Sequence, residues 1–417
     1  MTDQRSNSRW LLLLCTSQLF IMLVFINYSA ILPLLKAEWG MSNTQAGIIF
    51  SVYQLGYIAS GVLLSTLSDR LNIRNIFITA ALWSGLANLL FGLFAHDFTS
   101  GLILRGLTGI GMGGTYMPGL KLVAERFESH RRGRAIGIYV GALVLGASLS
   151  LVVPGVITSL WDWRTAMLVC SAGVFLGAGL SLFVFRGYRP APVPRSPRGF
   201  TGEILTNRPA LLIILGYASH MWEMYGMRSW LAPFFAAALT GWGVASSTAT
   251  ATAATIAAVL VGVGAFSTAI TGSLSDRFGR TITITLVMLS SAGCSFLFGW
   301  LINTNLWLTL AVGILYGWLI VAESPVFSTG LTELVAPGYL GAAMGMQSLI
   351  GYTMGMISPT VFGWALDRFQ DWQPWPGVNG AWGVAFTTVG LGALCGPVCM
   401  WLLRRHPDSS RMARGKR

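Results

Sequence analysis

Charge is scarce in this chain. Asp, Glu, Lys and Arg make up 10% of its 417 residues, against about a quarter in an ordinary soluble domain. Acid is the scarcer sign, with 15 Asp and Glu against 27 Lys and Arg. A chain this long cannot cover itself with a water-facing surface from so few charges, so a soluble globular protein is excluded. Histidine is scarce as well, and His96, His130, His220 and His406 are scattered along the chain. No metal-ligand cluster, Ser/His/Asp set or phosphate-binding loop accompanies them, so neither an enzyme nor a metal or cofactor is expected. The five cysteines, Cys15, Cys170, Cys294, Cys395 and Cys399, all fall in apolar runs. They read as small buried hydrophobes, not as a disulfide framework.

What is abundant is apolar sequence: 54% of residues, with a mean hydropathy of +0.64, and 50 glycines. No soluble core buries that much, so the solvent is lipid. Twelve segments are long enough to cross the hydrocarbon as helices, at 11–35, 45–67, 75–95, 100–124, 134–157, 164–185, 209–238, 248–274, 281–302, 306–334, 342–366 and 381–403. Helices are the default, because any other backbone facing lipid leaves polar groups unpaired. The first run is too long for a signal peptide and reads as a span. The expected architecture is all-α, with a six-helix bundle over 1–185, a Pro- and Arg-rich linker over 186–208 and a second bundle over 209–403. A basic tail, 404–417, follows and is expected to be unpacked. Lys36, Arg164 and Arg368 fall on one side of the membrane, Arg105, Lys121 and Arg228 within spans, and all the other Lys and Arg on the opposite side. That asymmetry explains the net charge of +12 without nucleic acid and predicts cytoplasmic termini in an inner membrane.

One unit of the chain is written twice. Leu67-Ser68-Asp69-Arg70 recurs as Leu274-Ser275-Asp276-Arg277, 207 residues on, with Arg74 and Arg280 following. Pro118 and Pro325 interrupt the fourth and tenth spans, and Glu125 and Glu333 end them. Such internal symmetry in a hydrophobic chain points to a two-bundle transporter.

The run Gly272-Ser273-Leu274-Ser275-Asp276-Arg277-Phe278-Gly279-Arg280 resembles the loop signature G-x-x-x-D-R-x-G-R of the major facilitator superfamily. The first copy is degenerate, with Ser65, Asn72 and Ile73 in place of Gly, Gly and Arg. Arg105-Gly106-Leu107-Thr108-Gly109-Ile110-Gly111 is similar to that family's pattern on the fourth helix, and Glu125 with Arg131-Arg132-Gly133-Arg134 to its following loop. The fifth span departs: Ser150-Leu151 stands where the antiporter signature has Gly-Pro. The resemblance implies a secondary transporter with a cytoplasmic gate. In it, Asp69 and Asp276 reach the start of a helix in the opposite half (helices 11 and 5), and Arg70 and Arg277 pair with Glu125 and Glu333. It also implies that Arg105 faces the central cavity; the residues alone leave snorkelling to the surface open.

A charge at the bilayer centre costs at least about 2.5 kcal/mol, so each needs a reason. Glu323 lies mid-span beside Pro325, which loosens the helix and suits a protonated carboxyl. His220 and Glu223 share a helix face and read as a proton-exchanging pair or as a helix contact. Arg228 binds an anionic substrate or pairs with a carboxylate. Lys121 is best explained by snorkelling. Asn27, Tyr28, Tyr57, Tyr116, Gln54, Gln347 and Tyr352 complete the candidate cavity wall. The function expected is alternating-access transport of a small organic solute, with a lean towards an anion, driven by a proton gradient. Drug efflux by H+ antiport is the alternative, and a channel or non-transporting receptor the rival class. The partners expected are a small-molecule substrate and the bilayer, for a monomer.

Overall fold

The computed structural model describes residues 2–67, 72–186, 205–302, 304–336, 339–376 and 380–416. Hydrocarbon offers the backbone no hydrogen bonds, and accordingly the apolar runs are helical. The first half holds α1 (Thr2–Ile21), α2 (Asn27–Trp39), α3 (Asn43–Leu67), α4 (Ile73–Phe94), α5 (Phe98–Gly113), α6 (Tyr116–Arg126), α7 (Ser129–Leu160) and α8 (Trp163–Val184). The second holds α9 (Arg208–Gly241), α10 (Ser246–Phe278), α11 (Arg280–Phe298), α12 (Leu306–Leu319), α13 (Ser324–Leu334), α14 (Leu340–Arg368), α15 (Gly380–Ala393) and α16 (Cys395–Arg405). Nine helical stretches among the described residues are long and apolar enough to cross a membrane. The other expected spans, 45–67, 100–124 and 209–238, are helical too, within α3, α5–α6 and α9. His220, Glu223 and Arg228 dilute the hydropathy of α9. Most of the expected linker lies outside the described residues.

Among the described residues several of the expected spans are broken, the last of them between α15 and α16 at Leu394. The first passes through a short 3₁₀ turn, Met22–Val24, before α2 begins at Asn27. The amide freed by that break, Ile26 N–H, donates to Ser150 Oγ at 3.3 Å. Ser150 thus has a structural task at the position where the antiporter signature differs. The fourth and tenth spans break between α5 and α6 and between α12 and α13. Each gap lies ahead of its proline, and Pro118 and Pro325 sit in the first turn of the piece that follows. Proline has no N–H to give and collides with the carbonyl four residues back, but fits a first turn, where that N–H has no helical partner.

The helices group into two compact units. One comprises Met1–Met41, Ile48–Val193 and Leu231–Gly262; the other comprises Ser42–Gly47, Pro194–Trp230 and Val263–Arg417. Each therefore takes in a stretch from the other half of the chain. In the first unit α4 packs on α5 and α8, and α5 approaches α3 so closely that a Cβ on Gly109 would overlap the Tyr53 carbonyl. In the second, Ile213, Met288, Phe327, Leu331, Met400 and Leu403 share a core. Cys15, Cys170 and Cys294 are buried as expected, whereas Cys395 is exposed. The tail is not loose: Pro407–Gly415 forms a 3₁₀ helix, and Met412 enters the core of the second unit. A basic composition hid one apolar anchor.

Asp367, near the end of α14, went unremarked in the sequence and proves to be the cap of α3. Its Oδ1 accepts from the Asn43 backbone N–H and side-chain amide, each at 2.8 Å. Its Oδ2 accepts from the Thr44 N–H at 2.7 Å and hydroxyl at 2.6 Å. The first amides of a helix have no helical acceptor, and a carboxylate there also meets the positive end of the helix dipole. Asp367→Ala is expected to destabilise the folded protein by about 0.5–2 kcal/mol, the usual cost of a lost cap. A thermal unfolding curve in detergent should show the lower midpoint, with Asp367→Asn between the two.

Candidate functional site

In the first unit Asn27 and Tyr28, of the expected polar residues, meet Arg105. It is only 1% exposed, so the guanidinium does not snorkel. Its Nη1 donates to Asn27 Oδ1 at 3.0 Å and to the Val24 carbonyl at 3.4 Å. That carbonyl lies in the break between α1 and α2. The guanidinium carbon stands 4.5 Å from the centre of the Tyr53 ring and 5.8 Å from that of Tyr28. Aromatic faces stabilise a desolvated cation. They do not cancel its charge, and among the described residues no carboxylate pairs with it. Asn27 is held by a chain that the sequence did not single out: its Nδ2 donates to Asn88 Oδ1 at 3.1 Å, and Asn88 Nδ2 donates to Ser171 Oγ at 2.9 Å. A lone Asn in an apolar run was the available signal for Asn88. Gln54 is buried beside this group of helices, and its Nε2 has no partner. Tyr116 lies beyond the α5–α6 break and neighbours Tyr139, not Arg105. The break before Tyr116 interrupts the regular helical spacing that runs on from Arg105.

In the second unit the acids are sorted differently from the expectation. His220 Nδ1 meets Glu323 Oε1 at 2.8 Å, and both side chains are wholly buried. Glu223, three residues from His220 on α9, turns to Ser291 instead, whose hydroxyl donates to its Oε1 at 2.8 Å, with Tyr316 beside it. The expected His220–Glu223 pair is thus replaced by a pair between α9 and the break ahead of α13. Shared helix face brings two side chains near each other, but the ring's actual partner is set by the neighbouring helix. His220 Nε2, Glu323 Oε2 and Gln347 Nε2 are buried without partners among the described residues. Arg228 Nε is in the same condition, with Tyr225 and Tyr352 as its electrostatic neighbours.

The duplicated turn is seen in its second copy. Gly279 joins α10 to α11 at φ +101°, a conformation open to glycine and costly to other residues. In the first copy Asn72 takes an extended conformation instead and caps α4 through a 3.0 Å hydrogen bond from Arg74 N–H. That is how the degenerate copy manages without the glycine. Asp69 and Arg70 lie outside the described residues, Arg74 Nε is buried without a partner, and Glu125 is exposed near the end of α6. At the second copy the acid–base pairing is corrected: Glu333 pairs with Arg280, not Arg277. Arg280 Nη2 meets Glu333 Oε1 at 3.0 Å, and its Nη1 meets Asp276 Oδ1 at 2.6 Å and Ser275 Oγ at 2.5 Å. The φ of Gly279 folds Arg280 back onto the turn, whereas Arg277 is exposed and lies 5.3 Å from the Phe278 ring centre.

Broken membrane helices, a buried guanidinium in one unit and a buried His–Glu pair in the other are features of a secondary transporter. Residues 14–359 match the profile of the Major Facilitator Superfamily, and the chain belongs to that family. It is a multi-pass secondary transporter, not an enzyme, and takes a small-molecule substrate. The chain is 26% identical over 343 residues to a probable 4-methylmuconolactone transporter of Cupriavidus pinatubonensis, covering 79% of this chain and 76% of that one. It is 25% identical to a probable sulfoacetate transporter of Cupriavidus necator, covering 94% of each. Its fold matches the crystal structure of a bacterial homolog of the human lysosomal transporter Spinster in an inward-facing, unoccupied conformation. That match has a TM-score of 0.73 at 18% identity and covers 96% of this chain and 97% of that one.

The altered pairing at the second turn has a measurable consequence. Arg280→Ala is expected to cost about 1–3 kcal/mol, as a charged hydrogen-bond partner is lost. Arg277→Ala, at an exposed position, should stay within about 0.5 kcal/mol. Unfolding midpoints of the two variants would reverse order if Arg277 held Glu333.

Proposed function

We propose that this transporter carries a small organic anion across a bacterial inner membrane by proton-coupled alternating access. In this reading its strongly basic face is cytoplasmic, and bundles over 1–185 and 209–403 move against each other. The observation that carries the anion is Arg105: a desolvated guanidinium held by a carboxamide, a carbonyl and two phenol rings, with no carboxylate partner among the described residues. A buried charge without a counter-ion is costly, and a substrate carboxylate or sulfonate would complete it with charge-assisted, planar hydrogen bonds. The name of the sulfoacetate relative is that of such an anion, and the lactone relative is likewise named for a small organic solute.

His220 and Glu323 support the proton half of the reading. One hydrogen bond joins them, and each keeps a further buried polar atom without a partner. A proton gained or lost by this pair alters the balance of a buried ion pair at the broken helix. Glu223, tied to Ser291, is the secondary candidate.

Two measurements on purified protein separate the two halves. In a thermal-shift screen, small carboxylates and sulfonates should raise the unfolding midpoint, and Arg105→Gln should weaken binding by about ten-fold or more, the scale of one charged hydrogen bond. In proteoliposomes an imposed pH gradient should alter the rate at which the bound acid is taken up, and Glu323→Gln should remove that dependence while binding persists. If no acid binds, the anion reading fails; uptake indifferent to the gradient defeats the proton reading.

A further inference from the structure

The chain's last residues lie against the duplicated turn. His406 Nδ1 caps the 3₁₀ helix Pro407–Gly415 by accepting from the Asp408 N–H at 3.3 Å. A 3₁₀ helix of nine residues is long, since its hydrogen-bond geometry is poorer than that of an α-helix. Something beyond its own backbone holds it. Three contacts do so. Met412 is fully buried in the core made by Ile213, Phe327, Leu331 and Leu403. The Ala413 N–H donates to Glu333 Oε2 at 3.1 Å, and Lys416 Nζ donates to the Asp276 carbonyl at 3.2 Å. Gly330 is the matching feature of α13, where a Cβ would come 2.9 Å from Met412 Cε.

The docked conformation is strained at one point. Ala413 has φ +47°, the only positive φ among the described residues other than glycine. An L-residue adopts that region at a cost, and only where its surroundings impose it. Here the strained residue is the one that places its N–H on Glu333. Glu333 Oε1 takes Arg280 Nη2, and its Oε2 is shared between Arg280 Nε at 3.4 Å and the tail.

We propose that the segment 407–416 is an intramolecular ligand of the charged turn at Asp276–Arg280, and that its docking holds this gate in place. Met412 is the anchor, the Ala413 amide and Lys416 are the polar contacts, and the groove beside Gly330 is the receiving surface. Docked, the tail joins Arg280 on the second oxygen of Glu333 and ties down the backbone of Asp276. Any rearrangement of the gate then requires the tail to leave. The contact needs neither the anion nor the proton assignment made above.

Hydrogen exchange read by mass spectrometry on the purified full-length protein tests this without any substrate. The tail amides should exchange slowly, and Met412→Asp should accelerate exchange across 407–416 by about ten-fold or more, because a charge cannot enter that core. Ala413→Gly keeps the amide and relieves the positive φ, so it should slow exchange of the tail. The same order, Met412→Asp fastest and Ala413→Gly slowest, should appear in the gate segments 274–280 and 327–335. Truncation after Arg405 should match Met412→Asp in those gate segments. A tail that exchanges at the unprotected rate in the unaltered protein overturns the docking. Gate segments that ignore both substitutions and the truncation overturn the control.

Discussion

Hydrocarbon supplies no hydrogen bonds, and that one constraint organises this protein. Every backbone amide in the apolar runs must pair within its own helix or find a substitute, and every charge placed among them needs a local reason. The helix breaks show the rule at work. At Met22–Ile26 the freed amide of Ile26 goes to Ser150, and the nearby Val24 carbonyl goes to Arg105. At the α12–α13 break the buried turn carries Glu323, whose side chain goes to His220. The backbone irregularities and the intramembrane charges are therefore one feature, because each supplies what the other lacks.

The two units use charge in opposite ways. The first keeps a cation with no carboxylate partner among the described residues, softened by aromatic rings. The second keeps a buried His–Glu pair, with further polar atoms nearby that have no partner among the described residues. A transporter needs such incompleteness: a site fully satisfied by its own residues has no free energy left to offer a substrate or a proton. By contrast, the gate turn, the α3 cap at Asp367 and the tail at Glu333 are nearly saturated with hydrogen bonds. Those are places where the structure holds one arrangement firmly.

Much of this could be read in the residues. Arg105, Asn27 and Tyr28 were picked out as intramembrane polar groups and do meet. Glu323 was picked out for its place beside Pro325, and it sits at the break. The glycine of the gate signature was read as a motif, and the structure shows the positive φ that requires it. Other features were not legible. Asp367 looked like one of many charges at a helix end, because nothing local shows that the start of α3 lies beside it. Asn88 and Ser291 matter only through neighbours far away in the chain. The tail's single methionine gave no periodic pattern from which docking could be inferred.

The sequence by itself determined that this is a helical membrane protein, where its apolar segments run, that one unit is repeated, and which side chains the bilayer would penalise. Those properties follow from transfer free energies and helical period, which act residue by residue or within a turn. Only the tertiary structure decided who pairs with whom: His220 with Glu323 and not Glu223, Glu333 with Arg280 and not Arg277, Asp367 with the start of α3, and Glu333 with the tail. Each choice depends on how one helix is rotated and displaced against another, by a few ångströms or a few tens of degrees. Local sequence does not encode that, because it is set by the packing of residues from 53 to 324 positions apart.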